Sequence, residues 1–264
     1  MTPAAGDTTV TLTLERDVHV RYVLRIADTS LVLGHRLSEW LGKAPTIEEE
    51  LALANMSLDL VGQAQALYVH AAAIENSGRD ADRLAFSRDA MDYGNLLLAE
   101  IPNGDFAITI VRQLFYASFA HLYFAKLKQS ADSELAGVAA RAVKEMTYHA
   151  RHAGEWLIRL GDGTAASHEK AQQAVDELWR YTGEMFTVDE TDRAAIAAGI
   201  GIDPTGLKAD WDAGVDAVLT EATLTRPADG WMMTGGRTGQ HTEHLGHMLS
   251  QMQFLQRAYP GQQW

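Results

Sequence analysis

Apolar side chains recur every three or four residues along most of the chain, which is the period of an amphipathic α-helix. The longest pattern begins at a capping box, in which the Thr46 side chain can accept a hydrogen bond from the backbone N–H of Glu49 while Glu49 reaches back to Thr46. The pattern predicts helices over 17–41, 46–76, 105–129, 133–160, 167–186, 203–222 and 241–258.

The lengths of the connections indicate how these helices are arranged. Short turns join the first helix to the second and the third to the fourth, so each pair is expected to form an antiparallel hairpin. The polar, glycine-containing stretch 77–104 instead predicts a long crossover with short helical turns. Two hairpins joined by one long crossover are typical of the ferritin-like variant of the four-helix bundle. We therefore predict an all-α, ferritin-like four-helix bundle with additional C-terminal helices.

The domain organisation follows from the same patterns. No shift in composition divides the chain, so we predict a single helical domain over 17–264. Residues 1–16 are expected to form a disordered or extended N-terminal extension. The segment 223–239, which is rich in glycine and contains Pro227, is predicted to be a loop.

Composition and charge restrict the class of protein. Of the 264 residues, 47% are hydrophobic and 22% are charged, as in an ordinary globular protein. Lys and Arg number 22 and Asp and Glu number 35, and the resulting net charge of −13 argues against a nucleic-acid partner because it repels phosphate backbones. No apolar run approaches the roughly 20 residues of a membrane-spanning helix, so we expect no membrane partner and a cytoplasmic location. The absence of cysteine excludes disulfides, iron–sulfur clusters and thiolate zinc sites.

A ferritin-like bundle raises the question of a di-iron centre. Such centres use a Glu from each of two helices and a Glu-x-x-His motif from each of the other two. No Glu in this chain is followed by His three residues later. The nearest pair is Glu145 and His149, four residues apart, for which we consider a hydrogen-bonded pair a better explanation than a metal site.

Three histidines near the C-terminus form a second candidate cluster. His241, His244 and His247 are spaced three residues apart, which resembles a metal-binding pattern. On a helix, however, His241 and His247 would point about 120° apart, so the three side chains diverge. We expect helix capping and interhelical or intersubunit hydrogen bonds here rather than a metal.

Polar residues recur on one face of the second predicted helix. Asn55, Asp59 and Gln63 are four residues apart. They are interpreted either as a polar network inside the bundle or as a partly solvated stripe, and the sequence does not distinguish the two.

Several runs of residues are specific enough to suggest a family. The run at 53–65 reads Leu-Ala-Asn-Met-Ser-Leu-Asp-Leu-Val-Gly-Gln-Ala-Gln, and the chain ends with His-Thr-Glu-His-Leu-Gly at 241–246 and Pro-Gly-Gln-Gln-Trp at 260–264. Together with shorter runs at 95–98, 102–106, 144–149 and 178–180, these segments resemble the C subunits of phenylacetyl-CoA epoxidases. From this resemblance we assign an interface or structural motif to His241, Glu243, His244 and Trp264.

The resemblance implies a role in aerobic phenylacetate breakdown. In such an epoxidase, the A subunit holds the di-iron centre and epoxidises the ring of the CoA thioester, and a reductase subunit delivers electrons from NADPH. The C subunit resembles A in fold and pairs with it as a structural, non-catalytic partner. The implied cofactor is therefore a di-iron centre in the A subunit and none in this chain. The implied partners are the A subunit, the other epoxidase subunits and, as a further option, a second copy of the chain.

The positions that match the catalytic relative's iron ligands differ in this chain. On the second helix, Leu60 stands where the relative has a ligand Glu, and Gln63 where it has a ligand His. On the fourth helix, Met146 replaces another ligand Glu and His149 remains. The resemblance thus implies degenerate di-iron positions and neither catalytic nor cofactor-binding residues. Apolar residues suit such positions because a buried carboxylate without its metal is costly.

Two other functions remain open from the sequence. The chain could be a catalytic ferritin-like metal oxygenase in its own right, with a site around Glu145 and His149. It could also be a generic ferritin-like scaffold protein, although the specific C-terminal run through Trp264 argues against that alternative.

Overall fold

The computed structural model describes residues 15–262, which contain eleven α-helices and no β-strand. The predicted extension at 1–16 lies outside these residues except for its last two positions, and Arg16 already belongs to the first helix. None of the described helices is both long and apolar enough to cross a membrane. The helices are α1 (Arg16–Ser38), α2 (Ile47–Glu75), α3 (Ala81–Phe86), α4 (Leu97–Glu100), α5 (Phe106–Leu127), α6 (Ser133–Gly161), α7 (Ala165–Leu178), α8 (Glu190–Ala197), α9 (Lys208–Glu221), α10 (Glu243–Met252) and α11 (Phe254–Ala258).

The four long helices α1, α2, α5 and α6 pair as two hairpins, as predicted. The first hairpin is closely packed at Gly34, whose carbonyl accepts a 2.7 Å hydrogen bond from the Ser57 hydroxyl. A Cβ atom at Gly34 would lie 3.2 Å from the Cβ of Leu60, so a larger residue would push the two helices apart.

Contacts at the two ends of the bundle define its topology. At one end, the Trp40 indole N–H after α1 donates to the Thr109 hydroxyl near the start of α5, at 3.0 Å. At the other end, His19 near the start of α1 lies 2.8 Å from Asp132, the N-cap of α6. Helix α5 is therefore antiparallel to α1 and parallel to α2, which is the ferritin-like arrangement predicted from the crossover. We call these the Trp40 end and the Asp132 end.

The crossover between α2 and α5 is attached to the first hairpin through the buried carboxylate of Asp28. One oxygen accepts a 2.6 Å hydrogen bond from the Tyr68 hydroxyl and a contact from Arg88; the other accepts from the Arg88 guanidinium at 3.1 Å and from the Gly94 backbone N–H at 2.8 Å. The side chains of Asp28 and Arg88 are 0% and 5% exposed, so both charges are removed from water and neutralise each other.

The additional C-terminal helices are present, but their boundaries differ from the prediction. The helix predicted at 167–186 ends at Leu178, where the chain tightens into 3₁₀ turns and the Trp179 ring packs 5.5 Å from Phe115. The helix predicted at 203–222 becomes α-helical only at Lys208, after a 3₁₀ turn that begins with Pro204.

Two further differences arise from local capping and a buried amide. Helix α8 was not predicted, although Asp189 and Asp192 form a capping box that marks its start. The helix predicted at 241–258 is interrupted at Gln253, whose buried side-chain amide donates to the Arg88 carbonyl at 3.0 Å and to the Tyr93 hydroxyl at 3.1 Å.

The glycine-rich segment 223–239 is largely irregular, as predicted, and packs against the crossover backbone. A Cβ atom at Gly236 would lie 2.3 Å from the Asn95 carbonyl oxygen. Gly239 has a φ of +81°, and a Cβ there would lie 2.3 Å from the Met91 carbonyl oxygen. Both positions need glycine because one backbone lies directly against another.

We predict that Asp28→Asn lowers the free energy of unfolding by about 3–5 kcal/mol, because it leaves the Arg88 charge buried without a counter-ion. Urea unfolding followed by circular dichroism measures this loss. The control is Glu75→Gln, which breaks the more exposed pair with Arg79 (side chains 17% and 42% exposed). The control should lose no more than about 1 kcal/mol. Equal losses in the two variants would contradict the role assigned to Asp28.

Candidate functional site

The four positions compared with iron ligands all lie in the bundle interior. Leu60 and Met146 are 0% exposed and belong to the continuous apolar core. Gln63 and His149 are also buried, at 1% and 0% exposure. The interior at these positions is thus filled by two apolar side chains, an amide and an imidazole.

Both ring nitrogens of His149 have hydrogen-bond partners. The side-chain amide nitrogen of Gln113 lies 3.2 Å from Nδ1, and the carboxylate of Asp59 lies 3.1 Å from Nε2. An amide nitrogen can only donate, so Nδ1 accepts and Nε2 carries the proton that it donates to Asp59. These two contacts hold the imidazole between α2, α5 and α6.

Sequence analysis did not identify Gln113, which supplies the contact from α5. The residue is 0% exposed and lies within a helix that is otherwise mainly apolar. The presence of a single amide side chain among apolar residues was the one local feature that pointed to a role for Gln113. Its partner on α6 is 36 residues away along the chain and could not be inferred from spacing.

Polar side chains of α2 and α6 form a row of pairs that we call the polar seam. Glu145 accepts a 2.6 Å hydrogen bond from the Gln63 amide and is thus paired across the seam, as His149 is with Asp59. Towards the Trp40 end, Glu49 pairs in the same way with the imidazole of His152 at 2.9 Å. The members of the seam are Glu49, Asp59, Gln63, Glu145, His149 and His152.

The polar face of α2 combines the two interpretations that the sequence left open. Gln63 is buried in the polar seam, Asp59 is partly exposed within it, and Asn55 faces solvent. These polar residues of α2 therefore range from the solvent-exposed surface to the buried interior.

The residues at the four positions compared with iron ligands do not by themselves provide a ligand set for two iron ions. Two of the four offer no ligand atom suited to iron, and Gln63 offers only a neutral amide oxygen where a charged or imidazole ligand would be needed. Within residues 15–262, His149 does not belong to any group of three His, Asp or Glu side chains whose donor atoms lie within 4.8 Å of one another. A di-iron site needs several carboxylates converging with two imidazoles, and the polar seam instead holds its charged groups in separate pairs.

The C-terminal motif links the end of the chain to the crossover through His241. Its Nδ1 lies 2.9 Å from Glu100, whose carboxylate is 0% exposed, and its Nε2 lies 3.0 Å from the Tyr93 carbonyl. Both partners are acceptors, so a doubly protonated ring satisfies both. Burial opposes protonation of His241, but the hydrogen bond and charge of Glu100 outweigh that effect and raise the pKa of the imidazole.

The other members of this motif are placed apart from His241. Thr242 is the N-cap of α10 and Glu243 is exposed at its first turn. His244 contributes its backbone carbonyl, which accepts a 3.4 Å hydrogen bond from Arg36. His247 is exposed, so the three histidines do not converge, and Trp264 lies outside the described residues.

Two matches to known proteins bear on the identity of the chain. A family model described as "Phenylacetic acid catabolic protein" matches residues 3–264, which include most of the segment expected to be an extension. The C subunit of the 1,2-phenylacetyl-CoA epoxidase of Escherichia coli (strain K12) is 51% identical over 243 residues. That alignment covers 92% of this chain and 98% of the relative.

The extent of both matches agrees with the resemblance found in the sequence. The family match includes the α2 run, the crossover and the C-terminal motif, and the chain has the all-α, ferritin-like fold predicted from periodicity. The chain therefore belongs to the phenylacetic acid catabolic protein family.

Proposed function

We propose that this chain is a structural, non-catalytic subunit of a phenylacetyl-CoA ring epoxidase, in which it binds and supports the di-iron catalytic A subunit. The observation that carries the proposal is the filled bundle interior, where Leu60 and Met146 pack as core residues at positions that hold iron ligands in the catalytic relative. The name of the E. coli relative, a component of the epoxidase, supplies the reaction.

The chemistry of the interior supports a structural role. His149 already uses both ring nitrogens, and Glu145 accepts a short hydrogen bond from Gln63. Binding a metal at His149 would have to break one of these buried bonds, which leaves a polar group unsatisfied. The polar seam thus joins α2 to α6. This structural use of its side chains supports the proposal that the chain contributes to the reaction by binding a partner subunit.

An exposed apolar face on α2 is a suitable surface for that partner. Five large apolar side chains on this helix are between 39% and 67% exposed, and no charged residue of α2 lies between them on the same face. Scattered single apolar residues are normal on a surface, whereas an aligned row marks an interaction site. This row, which we call the α2 stripe, consists of Ile47, Leu51, Leu58, Val61 and Val69.

The geometry of the α2 stripe suits a long partner helix. Its members recur at helical spacing within about 80° of one another around the helix axis, and they span residues 47–69, or about 33 Å. Helices that pack side by side through such a row form large, apolar interfaces of the obligate type. The A subunit, implied to share the ferritin-like fold, would supply long helices of this kind.

We predict that Leu58→Glu weakens binding to the A subunit at least tenfold and leaves the stability of the isolated chain unchanged within about 0.5 kcal/mol, because the side chain is exposed. Binding is measured by isothermal titration calorimetry with purified A subunit. Met91→Glu is the control, because it places the same charge at an exposed apolar residue on the crossover. Undiminished binding in Leu58→Glu would exclude the α2 stripe as the interface.

The supporting role itself is tested by reconstitution. We expect the A subunit with its reductase to lose turnover of phenylacetyl-CoA when this chain is omitted and to regain it when the chain is added back. The measurement is NADPH- and oxygen-dependent epoxide formation. Full turnover without this chain would refute the proposal. If only the Leu58→Glu variant kept full binding to the A subunit, the supporting role would stand and the interface would lie elsewhere on the chain.

We also predict that His149→Gln leaves the ferrous iron retained by the isolated chain unchanged after anaerobic loading and desalting, because the interior has no converging ligand set. Iron is counted by a colorimetric chelator. Two irons per chain that disappear in His149→Gln would contradict the non-catalytic assignment and would identify the chain as an oxygenase in its own right.

A further inference from the structure

A cluster of three ionisable side chains lies at the Asp132 end of the bundle, separate from the polar seam. His19 comes from the first turn of α1, His70 from the last third of α2, and Asp132 is the N-cap of α6. The Nε2 atoms of His19 and His70 lie 2.8 Å and 2.6 Å from the same Asp132 oxygen, Oδ2. Within the described residues, this is the one group of three whose donor atoms all lie within 4.8 Å of one another.

Local hydrogen bonds hold Asp132 in place and direct one oxygen at the histidines. Oδ1 accepts from the backbone N–H groups of Glu134 at 3.0 Å and Leu135 at 3.1 Å, which caps α6. The backbone N–H of Asp132 donates to the Ser130 hydroxyl at 3.1 Å. Oδ1 is thus committed to the helix, whereas Oδ2 is directed at the two imidazoles.

The cluster differs from an ordinary histidine–carboxylate pair because two imidazoles share one oxygen. Their rings meet edge to face, with centroids 6.0 Å apart and planes at 78°, so they do not stack and each points a nitrogen at the same spot. The side chains are 19%, 14% and 7% exposed for His19, His70 and Asp132, so the spot is sheltered but reachable from solvent.

We propose that His19, His70 and Asp132 form a binding site for one divalent transition-metal ion of the Zn²⁺ class. Two imidazole nitrogens and one carboxylate oxygen are a ligand set that such ions prefer. At metal–ligand distances of about 2.1 Å in a tetrahedron, the ligand atoms would be about 3.4 Å apart. Each imidazole nitrogen would therefore have to move away from Oδ2 by about 0.6–0.8 Å. Solvent supplies the remaining ligand.

The metal would join three helices that are far apart in the sequence. Asp132 is 113 residues from His19 and 62 residues from His70. Because the site exists only in the folded chain, metal binding stabilises the fold by mass action. His70 lies seven residues beyond Gln63 on α2, about 10 Å along the helix axis, so the ion would fix the end of the bundle without entering its interior.

We predict that the untagged, metal-free chain binds one Zn²⁺ per chain in competition with a chromophoric chelator, and that saturating Zn²⁺ raises its Tm. His19→Gln and His70→Gln should each weaken binding at least tenfold, because even outer contacts to a metal ligand are worth about 10–100-fold. Glutamine retains a hydrogen-bond donor for Asp132, so the metal-free variants should keep their fold, as checked by circular dichroism.

The matched control is His152→Gln. His152 also faces a single carboxylate, Glu49 at 2.9 Å, but it has no second imidazole sharing that carboxylate, so Zn²⁺ affinity and the Tm increase should be unchanged. Failure of the chain to bind Zn²⁺, or equal affinity in the wild type and both His19 and His70 variants, would overturn the proposal.

A second measurement uses the unaltered chain, so it does not depend on the folding of any variant. Co²⁺ replaces Zn²⁺ at such sites and reports its ligands through visible absorption bands. We expect one Co²⁺ per chain with intense bands of a four- or five-coordinate nitrogen and oxygen site, which Zn²⁺ displaces. Only the weak spectrum of hydrated, six-coordinate cobalt would count against the site.

Discussion

The buried carboxylate of Asp28 is the constraint on which the outer part of the structure depends. The crossover between α2 and α5 has no long helix with which to pack itself, and a buried loop must find partners for its backbone groups. Asp28 provides them by holding the Arg88 guanidinium and the Gly94 backbone N–H on the first hairpin. With these two points fixed, the crossover becomes a surface on which the C-terminal third of the chain can fold.

The contacts of that C-terminal third show the dependence directly. Glu184 is 1% exposed and accepts from the Leu97 backbone N–H of the crossover at 2.8 Å and from Gly235 at 2.9 Å. Glu100, at the end of α4, binds His241 and the backbone N–H of Thr242. Long helices of the bundle gain their stability from an apolar core, whereas these short segments are fixed by buried polar groups that are costly to leave unpaired.

This division explains what could be predicted from the sequence. The long helices and the crossover could be predicted, because apolar periodicity and connection length are properties of consecutive residues. The partners of Asp28, Gln113 and Glu100 are not local, since each lies tens of residues away and only tertiary structure selects it. The missed helix α8 is a different case, because the capping box that begins at Asp189 was present in the sequence. The family resemblance aligned Leu60 with an iron-ligand position of the catalytic relative. Only the structure shows that its side chain packs in the apolar core.

The polar seam and the cluster at the Asp132 end contain the same kinds of residue in different ratios, and the ratio decides what each can do. In the seam, His149 has Asp59 and His152 has Glu49, so every imidazole has its own carboxylate and α2 is joined to α6 at separate points. At the Asp132 end, two imidazoles face a single oxygen, and a shared divalent ion can satisfy both through their nitrogen lone pairs. The separate pairs of the polar seam favour a fixed hydrogen-bonded interior. The convergence of two imidazoles on Asp132 favours the binding of a metal ion. The proposed structural role of the bundle interior is therefore compatible with the proposed metal site where three helices meet.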